Sequence, residues 1–434
     1  MDKMADVLGR AGAWCGQNKY LSAIKNAFQN FMPLTIAGAI GVLWCNVLVN
    51  ESTGLGIFFK PIMALEFLNP AFQAVNFCTI SCITVGITLG IAQEIGVWNM
   101  GAERAGYIPG LVGLAAWLSV TNTSHMVEGA KEAFTGIAGN ELGATGLFTG
   151  MIIGVLSVEL FCFFEKQDAL KIKMPEQVPP GVARAFEVLV PATITLIITA
   201  CIGSACYNLT GLYLNDVIKN GIQGPLGAVG ATIPGVMIIY LVIMLFWLVG
   251  IHGNNMLSAV KEALFTPLAL ENVEKFNKGE KPTNIINMYA LQMWGEFGGS
   301  GVTIGLVIAI MIFGKREDNK AIATLSLVPG LFNINETVTF GIPMVLNPIL
   351  GIQFVVAPLI TIIIGYVLTV IGFCPVACLT VPWTTPPIVF GFLATGANVM
   401  GAVTQAILIV VSTVIYTPFL ISYEKYQNKQ AAEA

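Results

Sequence analysis

The stretch NINETVTFGIPMVLNPILGIQFVVAPLITIIIGYVLTV, residues 333–370, decides the fold class. Glu336 stands near its start, and no Asp, Glu, Lys, Arg or His follows in residues 337–423. An apolar run of about 20 residues at helical rise is enough to cross a bilayer, and this charge-free stretch is several times longer. The whole chain agrees: of 434 residues, 55% are hydrophobic and 11% charged, against about 25% charged in a soluble domain. The apolar runs are continuous and lack dyad alternation, which excludes a β-barrel. The expected fold is an all-α membrane protein with about ten transmembrane helices plus two re-entrant hairpins in the C-terminal half.

Working outward, spans are expected near 27–49, 75–93, 105–121, 142–164, 188–213, 226–250, 346–372 and 401–422. The polar lead of residues 1–26 has no h-region or cleavage site and is not a signal peptide. Basic residues gather in this lead, in 166–184, 275–281 and 315–320, and in the tail at Lys425 and Lys429. The positive-inside rule assigns all five to the cytoplasmic side, with both termini there, in a multi-pass cell membrane protein. The formal net charge of −4 and the absence of a basic run give no reason to expect nucleic acid. Nine cysteines without C-x-x-C or metal spacing read as packing residues, so no disulfide framework, metal or cofactor is expected.

Two segments break the pattern. Residues 284–313 hold Trp294-Gly295-Glu296 and Gly298-Gly299-Ser300-Gly301; residues 321–345 hold Pro329-Gly330, Asn333, Asn335, Glu336 and Gly341. Irregular backbone at membrane depth is tolerated only where protein or a water-filled cavity satisfies it, and interrupted short segments point to a transporter's binding site. Re-entrant hairpins are therefore expected there. The division expected is an N-terminal part over 1–225, with ordinary spans, and a C-terminal part over 226–434, which holds the interrupted segments.

A carboxylate at the head of so apolar a run must be satisfied, because burying it unpaired costs several kcal/mol. Glu336 is thus the first functional residue expected, and His252, directly after the uncharged 226–250, is the second. Glu336 can accept a proton from a hydroxyl, and His252 can stabilise a phosphoryl group. The plainer alternatives are an acid bonding the amides of a hairpin turn and a satisfied core histidine. Trp294 and Trp383, with Asn254, Asn255, Glu296, Asn333 and Asn335, combine aromatic faces with hydrogen-bonding groups, as a sugar requires. Both tryptophans also suit an interfacial belt, and Glu296 a structural acceptor. His125 reads as a solvated outer-loop residue and Arg104 as a cytoplasmic anchor.

These residues lie in an ordered set: Gly250-Ile251-His252-Gly253, Gly298-Gly299-Ser300-Gly301 with Thr303 and Gly305, Asn333-Ile334-Asn335-Glu336, Phe340-Gly341-Ile342-Pro343 with Asn347-Pro348, and Pro382-Trp383-Thr384. The set resembles the membrane permeases, enzyme IIC, of the bacterial phosphoenolpyruvate phosphotransferase system, in their lactose/cellobiose/diacetylchitobiose branch. Met32-Pro33-Leu34-Thr35-Ile36-Ala37-Gly38-Ala39 and the stretch from Lys173 through Val178-Pro179 and Arg184-Ala185-Phe186 to Pro191 extend it over the whole chain. The resemblance implies import of a β-linked disaccharide with phosphorylation of its C6 hydroxyl by a separate cytosolic enzyme IIB. It implies that Glu336 holds that hydroxyl, that His252 lies where the phosphoryl group arrives and that Trp383 contacts sugar. Glu296, Asn254, Asn335 and Trp294 complete the expected substrate contacts, and a homodimer in lipid is the implied state. Thr337 departs from the proline common after this glutamate. The chain length suits stand-alone cellobiose- or chitobiose-type permeases better than lactose permeases with a fused enzyme IIB. A proton-coupled sugar symporter is the competing class.

Overall fold

The computed structural model describes every residue except 1–9, 11–12, 15–16, 52–55, 57–58, 126–133, 176, 343, 346, 348 and 434. Cys15, Pro343 and Pro348 therefore lie outside the described residues. The principal helices are α1 (Lys19–Leu43), α2 (Ile83–Met100), α3 (Ile108–Val120), α4 (Ala144–Glu165), α5 (Pro180–Thr210), α6 (Ile233–Leu248), α7 (Ser258–Asn277), α8 (Met288–Gly295), α9 (Ile304–Phe313), α10 (Glu317–Leu331), α11 (Glu336–Gly341), α12 (Leu350–Val370) and α13 (Val399–Glu433). Among the described residues, six helical stretches are long and apolar enough to cross a membrane: Lys19–Leu48, Lys60–Met100, Ala144–Glu165, Pro180–Thr210, Leu350–Val370 and Val399–Gln430. The expected spans at 105–121 and 226–250 are the shorter apolar helices Ile108–Val120 and Ile233–Leu248.

The described residues form two compact units, one from Gln17–Gly38 with Ala74–Ala228 and the other from Ala39–Gln73 with the chain from Val229 onward. In the first, glycines let helices approach closely, as membrane helix pairs require: a Cβ on Gly113 of α3 would strike Ala92 of α2, and one on Gly150 of α4 would strike Thr88. The lone Arg104 lies beside the ends of two helices. It bonds Glu165 at 2.8 Å and Glu187 at 3.0 Å, and Arg184 bonds the same two acids at 3.0 and 2.8 Å. The turn before α3, the end of α4 and the start of α5 thus share one end of the unit. After α3 the chain reaches the short antiparallel pair Ser124–His125 and Phe134–Thr135.

In the second unit, α13 serves as a ruler. Gln405 donates to Met293 O (3.2 Å), Tyr416 donates to Gly301 O (2.7 Å), and Glu424 accepts from Lys315 N (2.9 Å). Residues 288–315 therefore run alongside α13 from near its start to near its end. Two sequence expectations are corrected by this order. Residues 284–313 are not a hairpin; they are a single pass, α8 and α9, interrupted by the glycine loop at 296–303. The basic segments 275–281 and 315–320 also do not share a side. Phe276 packs where a Cβ on Gly396 would sit, just before α13, while Lys315 is bound to Glu424, about 37 Å along the helix at 1.5 Å per residue. The positive-inside rule is a statistical bias counted over loops, so a short lysine-bearing turn can lie on the other side; in that turn Lys278 pairs with Glu274 at 2.7 Å and Lys275 bonds Thr283 at 2.6 Å. In a cysteine-free background, single cysteines replacing Gly279 and Lys320 should react with a membrane-impermeant maleimide from opposite sides. Labelling of both from one side would refute this order.

Two hairpins do occur. One is α10, a turn at 332–335 with Asn333 at φ 62°, and α11 returning so that Gly341 faces Ile322. Its root is at the α13 end, where Asn319 donates to Glu424 (3.1 Å) and Gln427 (3.0 Å). The second is residues 375–398, closed at its base by Cys378 N donating to Ala394 O at 2.7 Å, next to Phe276 at the opposite end. The tips meet: Asn333 Nδ2 donates to Trp383 O (2.5 Å) and Thr385 O (3.0 Å).

Candidate functional site

The meeting of these tips makes one wall of a cavity of about 490 Å³, within the range of small-molecule sites. The rest comes from the turn after α6 and the break between α8 and α9. Six of the seven site residues expected from the sequence line it: His252, Asn254, Glu296, Asn335, Glu336 and Trp383.

His252 caps the one-turn helix Gly253–Met256, its Nδ1 accepting from Asn255 N at 3.2 Å. That bond puts the proton of the neutral ring on Nε2. Nε2 stands 3.8 Å from Glu336 Oε1, with both side chains more than one third exposed. The separation exceeds a hydrogen bond, so both atoms stay free for a third group entering from the cavity. Trp247 holds the ring from behind, centroids 4.4 Å apart. Glu336 opens α11, where the helix N-terminus favours a carboxylate.

The polar walls are cross-braced. Asn335 donates to Ser300 O (2.8 Å) and Thr339 Oγ1 (3.1 Å), and Asn254 donates to Ser300 Oγ (2.9 Å). Gly299, at φ 88°, lies against Asn335, so a side chain there would be strained and would collide. Asn254 Oδ1 and Gln292 Oε1 are buried without a protein partner. Two such acceptors beside a cavity are ready for hydroxyl or N–H donors of a ligand, because an unpaired buried acceptor is costly. Glu296 Oε1 accepts from Tyr240 Oη (2.6 Å) and from Lys261 Nζ. Trp383 is 45% exposed, whereas Trp294 is 1% exposed and packs where Gly365 of α12 lacks a side chain. The structure does not bring Trp294 to the cavity.

Three residues at or beside the cavity escaped the sequence. Gln292 and Gln405 sit inside apolar helices, and Lys261 sits in a helix with several other charges. Gln405, 1% exposed, accepts from Ile388 N (2.8 Å) and Gly391 N (2.7 Å) besides its bond to Met293. Asn333, whose Oδ1 also accepts from Gly298 N at 2.6 Å, ties the glycine loop to the Trp383 tip. No group of three or more His, Cys, Asp or Glu side chains suited to a metal occurs among the described residues.

A family model described as "Phosphotransferase system, EIIC" matches residues 25–358. The chain is 32% identical over 429 residues to the oligo-beta-mannoside-specific EIIC component of Bacillus subtilis (strain 168), covering 98% of this chain and 94% of that one. It is 30% identical to the cellobiose-specific EIIC component of Lactococcus lactis subsp. lactis (strain IL1403), with 98% of each covered. A crystal structure of the transporter ChbC, the IIC component from the N,N'-diacetylchitobiose-specific phosphotransferase system, superposes with a TM-score of 0.88 at 29% identity, over 97% of each chain. With a helical, span-rich fold and a cavity built from the motif residues, this chain belongs to the EIIC permease family of the phosphotransferase system.

Proposed function

We propose that this membrane permease carries a β-linked disaccharide, of the cellobiose or diacetylchitobiose type, and presents its C6 hydroxyl for phosphorylation by a separate enzyme IIB. The observation that carries the reading is the pair Glu336 and His252. They are far apart in sequence yet face each other at 3.8 Å in a cavity that Trp383 shares. The C6 oxygen attacks phosphorus as the bond from phosphorus to its carrier side chain on enzyme IIB breaks, the electron pair staying with that side chain; the hydroxyl proton passes to the Glu336 carboxylate, and His252 Nε2–H hydrogen-bonds the oxygens of the arriving phosphoryl group. Trp383 covers an apolar sugar face, and Asn254, Asn335 and Glu296 bond hydroxyls. Trp294 acts from behind, by packing. Cellobiose and N,N'-diacetylchitobiose, for which two of the relatives are specific, support a disaccharide, and a cavity of this size accommodates one.

The two hairpins enter the membrane from opposite faces, and both termini face the cytoplasm. Residues 1–225 form the scaffold through which two copies associate as a homodimer in lipid; residues 226–434 form the transport domain. Enzyme IIB then docks at the α13 end, where Lys315, Arg316 and Lys320 attract phosphate charge. The Asp318 carboxyl there is held below the usual carboxylate range by its bond to Arg316. Lysines 275, 278 and 281, at the other end, take no part.

Uptake in vesicles tests the reading. Accumulation of sugar phosphate that requires phosphoenolpyruvate and resists a protonophore is expected; accumulation of free sugar abolished by a protonophore would establish the symporter instead. The chain itself holds no phosphoryl group. A variant lacking all nine cysteines is expected to support phosphorylation within threefold of wild type when given phosphorylated enzyme IIB, and a stable phosphocysteine formed without sugar would refute this.

A further inference from the structure

Lys261 is 5% exposed, an unusual position for an ammonium, which is almost never fully buried without a partner. It lies in the first turn of α7 and does not line the cavity. Its Nζ reaches Glu296 Oε1 and stands 5.5 Å from the centre of the Tyr240 ring. Tyr240, itself 1% exposed, donates to the same Oε1 at 2.6 Å. Both donors therefore converge on one oxygen of a carboxylate whose residue does line the cavity. A third element holds the chain at this point: a Cβ on Gly295 would press on Ile362 and on the Tyr240 ring.

We infer that Lys261 is a positioning residue for sugar binding: with Tyr240 it anchors Glu296 through Oε1, so that Oε2 is presented to the cavity as a fixed acceptor for a sugar hydroxyl. This inference rests on the proposed sugar site and adds how the acceptor is built. A carboxylate taken out of water keeps its charge only beside a counterion. Glu262 and His252 lie near enough to interact electrostatically with Glu296, and Glu336 lines the same cavity; two of these three are acids. Lys261 supplies the compensating charge, while its fork-free single ammonium leaves the second carboxylate oxygen unoccupied. An arginine would tend to engage both oxygens and take the acceptor away.

Sugar affinity and phosphorylation, measured on purified full-length variants in detergent with cellobiose and diacetylchitobiose as probes, separate the outcomes. K261M is expected to weaken binding of the better probe at least about 30-fold, while turnover at saturating sugar with phosphorylated enzyme IIB changes less than about threefold. K261R should bind about tenfold more weakly than wild type despite keeping the charge. The decisive comparison is with E296Q: K261M/E296Q, which has no charge to strand, should bind within about twofold of E296Q alone. A further tenfold loss in the double variant, or wild-type affinity in K261M, overturns the inference. If E296Q binds like wild type while W383A has lost binding, the sugar site stands and the role given to Lys261 falls. If neither E296Q nor W383A weakens binding, the sugar-site reading fails together with it. Should K261M not fold, E296Q and the double variant decide the question by the same comparison.

Discussion

Glu336→Gln should lower sugar phosphorylation by about 10³-fold while changing sugar affinity by no more than a few-fold. A positioned general base contributes about 10² to 10⁴ in rate, and the amide keeps the size and hydrogen bonding of the acid without accepting the hydroxyl proton. The structure leaves Glu336 free to do this: its Oε1 stands 3.8 Å from His252 Nε2, outside bonding range. Single-turnover transfer from phosphorylated enzyme IIB, with binding measured separately, checks it. Normal transfer by the Gln variant would return Glu336 to the role of a hairpin-turn acceptor. His252→Ala should cost about 10² in the same assay, with the amount of folded protein unchanged; a loss of folded protein alone would favour the core-histidine reading.

Gln405→Leu should be the most damaging substitution away from the reacting atoms. Leucine fits the space but leaves Ile388 N and Gly391 N without their acceptor and Met293 O without a donor. Each buried polar group left unsatisfied costs about 1 to 3 kcal/mol, so a loss of about 3 kcal/mol or more is expected. The segment released is the returning leg of the Trp383 hairpin, where Ile388 is held at φ 75°. A marked fall in the unfolding temperature in detergent, with sugar affinity reduced in the protein that remains folded, is the expected outcome. An unchanged unfolding temperature would show that this leg is held by other contacts.

The two residues proposed to react were legible because charge is costly in an apolar run. Glu336 and His252 announce themselves by isolation, and the glycines and asparagines around them by breaking helices that lipid would otherwise demand. Gln405 and Gln292 were not legible, since one polar amide within an apolar helix is an ordinary occurrence and its value lies in what the fold places beside it: Met293 O and two amides of the Trp383 hairpin for Gln405, the cavity for Gln292. Lys261 was hidden for a related reason. It sits in a helix whose remaining charges, Glu262, Glu271, Glu274 and Lys275, read as a solvated face. Trp294 and Trp383 looked equivalent, and only packing against Gly365 separates the buried ring from the exposed one.

Composition and hydropathy alone determined that this is a helical membrane protein, because backbone amides in lipid must be satisfied within the segment that carries them. Motif order was enough for the family and for most of the cavity's lining. Topology in the second half was decided only by the tertiary structure. A glycine-broken segment reads the same whether it turns back or passes through, and lysines in a loop carry no label of the side they face. The contacts of α13 with Met293, Gly301 and Lys315 make 288–315 a passage. The bond from Cys378 to Ala394 makes 375–398 a hairpin, although nothing in its composition distinguishes it from a broken span. Hydrogen bonds between residues distant in sequence select among chain paths that local physics leaves equal in energy, and here they bring His252, Glu296, Glu336 and Trp383 to a single cavity.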